Sequence, residues 1–148
     1  VGLSHQIDND LVQALKGREE LKCSVLRMLK TAVKNAEIQA KAELSDDEVL
    51  KVIDKQAKQR KDSIEQYEKG GRKDLVEKER QELALLDAYL PEKMTDDDVR
   101  KYIVEKVNAG QNLNFGQLMG VVMKDLGTKA DGQVVRNILQ DEISKRNG

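Results

Sequence analysis

Apolar positions along the chain fall at helical spacing. Val25, Leu29, Ala32 and Ala36 form one stripe, and Val49, Ile53, Ala57, Ile64 and Tyr67 form a second. Val76, Leu83, Leu86 and Leu90 continue a heptad-like seam beyond Gly70-Gly71. Helix starts are well signed. Ser45-Asp46-Asp47-Glu48 reads as a capping box, with Leu44 and Val49 as a hydrophobic staple across it, and Thr95-Asp96-Asp97-Asp98 repeats the logic between Met94 and Val99. Asn114, between Leu113 and Leu118, and Asp131 supply two further caps. The pattern predicts helices at 3–16, 19–42, 45–69, 72–90, 95–109, 114–126 and 132–146.

The two amphipathic stretches that flank Gly70-Gly71 read as an antiparallel helical hairpin. With the turn there, residues whose numbers sum to about 141 oppose one another. Arg60, inside one apolar seam, then meets Glu79 and Glu82 on the other, an expected ion pair that fixes the register of the hairpin. No glycine occurs from Arg18 to Lys69, whereas six of the ten follow Pro91. Proline clashes with the preceding helical turn, so a boundary is expected beside it. The reading is an all-α, multihelical fold of two helical subdomains, 1–93 with the long hairpin and 94–148 punctuated by glycine.

Composition narrows the chemistry. Lys and Arg number 26 against 27 Asp and Glu, a net charge of -1, which excludes a globally basic nucleic-acid binder. Aromatic residues are 3% of the chain, which argues against all-β architectures and against base stacking as a binding mode. No apolar run approaches the roughly 20 residues of a membrane span, and no signal-peptide pattern opens the sequence, so no membrane partner is expected. Cys23 is the one cysteine, which excludes an intramolecular disulfide and leads to the expectation of a reducing, cytoplasmic location. His5 is the one histidine, so Ser-His-Asp and Cys-His arrangements find no support, and metal-ligand spacings, a P-loop and a dinucleotide fingerprint are missing. No catalytic residue, metal or cofactor is expected.

Three features point to binding. Lys51, Lys55 and Lys58 share a helix face that could follow a phosphate backbone. Lys30, Lys34 and Lys41 do much the same on the preceding helix, interrupted by Glu37. Gly116 and Gly120 also share a face, at about 1 kcal/mol each relative to alanine, so something must approach them closely. A neighbouring helix of the same subdomain is the expectation, with an RNA phosphate as the alternative. Finally, Lys129 precedes the last helix, whose N-terminal N–H groups could receive an anion, and Arg136 lies one turn further along.

Met119-Gly120, Met123 and Gly127-Thr128-Lys129-Ala130-Asp131-Gly132 resemble the C-terminal signature of the GatB/YqeY family. Val25-Leu26-Arg27-Met28-Leu29-Lys30, Lys58-Gln59-Arg60-Lys61-Asp62-Ser63 and Ala88-Tyr89-Leu90-Pro91 are similar to stand-alone YqeY proteins. Thr128 departs from the glycine common at its position, and Phe115 from a methionine. The resemblance implies two helical subdomains, the second like the tail of the B subunit of the tRNA-dependent amidotransferase. It also implies tRNA as a partner, or else an aminoacyl-tRNA or amidotransferase protein; the expected tRNA contacts are Lys129 in the family-like turn and, from their spacing, Arg136, Lys51, Lys55 and Lys58. At family level it implies carbon–nitrogen ligase activity with glutamine as amide donor, although no residue here looks able to activate glutamine. A helical protein-interaction module is the alternative.

Overall fold

The computed structural model describes residues 2–109 and 114–147; Leu113, expected to staple a helix start, lies outside them. Among the described residues seven α-helices follow one another: α1 (Leu3–Lys16), α2 (Glu20–Ala40), α3 (Asp46–Lys69), α4 (Lys73–Asp87), α5 (Asp96–Asn108), α6 (Phe115–Leu126) and α7 (Gly132–Asn147), with a 3-10 turn at Gly127–Lys129. No strand occurs among the described residues. The protein is all-α and multihelical. The chain divides into two compact units, Val1–Leu90 and Pro91–Gly148. The division falls three residues before the boundary expected from sequence. Lys93 and Met94 belong to the second unit because the Lys93 ammonium donates to the Thr128 carbonyl and the Met94 N–H to the Lys129 carbonyl, the latter at 2.8 Å.

In the first unit, Ile7, Leu11 and Ala14 of α1, Leu26, Leu29 and Val33 of α2, and Val49, Ile53 and Ala57 of α3 form one core with Leu86 of α4. Helix ends are fastened by side chains. Ser45 Oγ accepts from the Glu48 N–H and Glu48 returns the bond to Ser45 N, completing the capping box. Asp46 Oδ1 accepts from Leu3 N at 2.9 Å and so ties the start of α1 to the start of α3. Glu37 Oε2 accepts from Leu44 N at 3.0 Å and closes the turn between α2 and α3.

Helices α3 and α4 pack antiparallel about Gly70-Gly71, with Gly71 at φ +71, a left-handed conformation that glycine adopts without strain. α3 is about 36 Å long at 1.5 Å per residue. Its buried residues, Val49, Ile53 and Ala57, all lie in its first half. Toward the turn, Ile64 and Tyr67 are only half-buried. Between the two regions sits Arg60, with Nη1 3.7 Å from Glu79 Oε2 and Nε 3.3 Å from Glu82 Oε2, while Nη2 approaches Met28 Sδ of α2 at 3.6 Å. The chain leaves α4 through two turn bonds, and the Tyr89 hydroxyl donates to the Asp10 carboxylate of α1.

In the second unit, Val99 and Ile103 of α5, Leu118, Val122 and Leu126 of α6, and Val135, Ile138 and Leu139 of α7 form a separate core. Thr95 Oγ1 caps α5, and Asn114 with Gln117 forms a reciprocal capping box at α6. Arg100 Nη1 reaches Asp141 at 2.9 Å and also Glu142, joining α5 to α7, while the Tyr102 hydroxyl donates to Asp125 and joins α5 to α6.

Two predictions follow from these ties. Glu82 is 6% exposed, so Arg60→Met strands a buried carboxylate and costs about 3 kcal/mol in urea denaturation, whereas Glu79→Gln leaves the pair with Glu82 and costs about 1 kcal/mol. Equal costs would contradict this division. Burial and the Asp10 carboxylate hold the Tyr89 hydroxyl well above the ordinary tyrosine range. A raised folded value means that the contribution is complete below the unfolded value near 10 and is lost as pH climbs through the folded one. Tyr89→Phe therefore costs about 1–2 kcal/mol at pH 7 and flattens the loss of stability above pH 10, read from melts across alkaline pH.

Candidate functional site

Leu118, Val122 and Leu126 turn inward from α6, and Gly120, two residues from both Leu118 and Val122, is thereby placed on the opposite side. Gly116 and Gly120 are both exposed. A Cβ at Gly120 would meet nothing within 4 Å, and one at Gly116 only the Asn114 cap oxygen at 3.4 Å. This corrects the expectation that these glycines mark the tightest contact inside the subdomain. Lys124 continues the row at the same i, i+4 spacing, is exposed, and makes no ion pair among the described residues. The adjacent Asp125 is engaged elsewhere, by the Tyr102 hydroxyl and by Lys106 Nζ at 3.4 Å, and those bonds hold its carboxyl below the usual range. The outer face of α6 is thus a strip of bare backbone ending in an ammonium group. Sequence reasoning missed Lys124, although its spacing of four from Gly120 and eight from Gly116 would have found it.

Lys129 and Arg136 belong to the same unit. Gly127, at φ +54, ends α6 in a backbone conformation that suits glycine, and Lys129 follows, exposed and without an ion-pair partner among the described residues. The expected convergence of Lys129 with free N–H groups of α7 is not found. Asp131 Oδ1 already accepts from Gln133 N at 2.7 Å and Val134 N at 3.4 Å, so the helix start carries its own carboxylate. Arg136 lies over the Phe115 ring at 5.9 Å from its centroid, beside the start of α6.

The lysines of α3 fare differently. Lys51, Lys55 and Lys58 are exposed, but carboxylates interleave them. Lys58 Nζ lies 3.4 Å from Asp54, and Lys51 acts on the capping carboxylate Glu48. The ridge is a face of alternating charge, which weakens its claim on a polyanion. Arg60 points into the hairpin, away from any ligand. Cys23 is buried as a free thiol, and His5 is exposed. Among the described residues no group of three or more His, Cys, Asp or Glu side chains could hold a metal ion, and no helix is long and apolar enough to cross a membrane.

The profile of the YqeY-like protein family matches residues 4–143. The chain belongs to the YqeY-like family. It is similar to proteins named altered inheritance of mitochondria protein 41, mitochondrial, from three fungi. Identity is 41% with that of Vanderwaltozyma polyspora, over 57% of this chain and 46% of the relative. It is 28% with that of Pyrenophora tritici-repentis, over 95% and 81%, and 30% with that of Saccharomyces cerevisiae, over 78% and 68%. The first of these matches thus spans less than half of the relative's length. These relatives are named as mitochondrial proteins, which overturns the expectation of a cytoplasmic location. That expectation rested on a lone cysteine, and a reduced thiol reports redox conditions without naming a compartment.

Because none of the described residues packs on Gly120 of this YqeY-like chain, Gly120→Ala should raise stability by up to about 1 kcal/mol, measured by chemical denaturation. A loss of stability would reveal an internal contact on that face.

Proposed function

We propose that this YqeY-like protein is a tRNA-binding accessory protein, which holds RNA through the outer face of α6 while chemistry proceeds on another protein. The observation that carries the reading is the exposed row Gly116, Gly120 and Lys124. Glycine inside a helix is unfavourable, and here no packing within the unit offsets it. A surface without side chains lets a ligand backbone approach the helix closely. Lys124, Lys129 and Arg136 on the same unit would neutralise phosphates, and the near-absence of aromatic residues favours backbone contact over base stacking. The likeness to the tail of the amidotransferase B subunit supports tRNA as the ligand, and with it a link to glutamine-dependent amidation of mischarged tRNA. The names of the relatives support a mitochondrial setting.

A second reading is favoured by Val121, a large apolar side chain 38% exposed beside the glycine row. A helix of another protein could dock there, and such docking would depend little on salt.

Fluorescence anisotropy with total tRNA tests the proposal. Lys129→Glu should weaken binding uniformly across tRNA species and reduce the salt slope by about one. Gly120→Leu has room to fold, and should weaken binding several-fold while leaving the melting temperature equal or higher. If both variants bind as the parent does, the α6 face is not the RNA site. If the parent instead captures an amphipathic helix with little salt dependence, the docking reading replaces the RNA one.

A further inference from the structure

We infer that the outer face of α2 is a second RNA contact, on the first unit, and that its ligand is the phosphodiester backbone of folded RNA; this rests on the reading of the protein as a tRNA binder. α2 carries four cations against two carboxylates, Glu20 and Glu37, and Lys41 follows it. By contrast, α3 holds seven carboxylates against six cations, and α4 five against three. In a chain of net charge -1, the surplus of positive charge is concentrated on α2.

Arg27 and Lys34 stand at i and i+7 on α2, in single file about 10 Å apart, and Lys41 follows as the left-handed residue at φ 54 that ends the helix. All three are exposed, and none has an ion-pair partner among the described residues. Of the carboxylates near the file, Glu37 is half-buried and accepts from Leu44 N, Asp8 of α1 is held by Lys30 at 3.0 Å, and Glu43 is exposed beyond Lys41. What remains is a row in which cations outnumber carboxylates, the arrangement that gains affinity by releasing counterions from a phosphate backbone.

The same row argues against a docked helix. Such docking needs apolar anchors at i, i+3, i+4 and i+7, and from Arg27 those positions are Lys30, Thr31 and Lys34. The exposed large apolar side chains of α2 are Met28 and Ile38, ten residues apart and too few to anchor a docked helix. α2 carries no aromatic residue, so the contact reads backbone charge and shape without stacking on bases.

The test compares two triple neutralisations in the full chain, each titrated with total tRNA at several salt concentrations. Arg27→Gln/Lys34→Gln/Lys41→Gln should lower affinity at least about tenfold in 50 mM salt and reduce the salt slope by two to three. Lys34→Gln alone should reduce the slope by about one. Lys51→Gln/Lys55→Gln/Lys58→Gln should stay within about threefold of the parent, and thermal melts confirm that every variant folds. If the parent binds tRNA and the α2 triple variant binds equally well, this inference falls while the tRNA reading stands. If the parent binds an acidic helical peptide but no tRNA, both fall.

Discussion

One guanidinium sets the register of the first unit. Arg60 lies between Glu79 and Glu82 of α4 and touches Met28 of α2, so three helices meet on it. Its Nε and Glu79 Oε2 are buried without a hydrogen bond, so the cluster holds by charge more than by ideal geometry. A pair of this kind adds little net stability over an apolar replacement, but it penalises any slip that separates the charges. That penalty matters because four aromatic residues in the whole chain leave the core to small aliphatic side chains. Such side chains interlock across α3 and α4 without a bulky anchor to select one alignment. With Arg60 in place, Ile53 and Ala57 join the same core as Leu86, on which α1 and α2 close. The second unit repeats the device at its surface, with Arg100 between Asp141 and Glu142.

Much of this was legible in the residues. The Gly70-Gly71 turn and the arithmetic of opposing positions put Arg60 opposite Glu79 and Glu82, because an antiparallel hairpin has one free parameter once its turn is fixed. Ser45 and Glu48, Thr95 and Asp98, and Asn114 and Gln117 cap helices where local chemistry demands it. The glycines of α6 were misread for a definable reason. Their cost in a helix is local and visible, but what offsets it depends on which side faces the core. Gly120 stands two residues from both Leu118 and Val122, so the phase of the stripe already placed it outside. The α3 lysines misled in the same manner, because a list of cations at helical spacing omits Glu48 before them and Asp54 between them. The carboxylate of Asp131, just before α7, is likewise local, and it accounts for the helix start that Lys129 was expected to share.

The candidate surfaces share one physical character. Each is a stretch of exposed helix on which cations outnumber free carboxylates, four cations to two carboxylates on α2 and Lys124 beside the engaged Asp125 on α6. They suit the proposed role in holding a polyanion.

The most direct measurement is the affinity of the parent chain for total tRNA in 50 mM and 200 mM salt. With three to four phosphates engaged, affinity should fall about 40- to 150-fold between the two conditions, and more if both units bind at once. No binding at 50 mM salt, or an affinity that does not change with salt, would contradict the account.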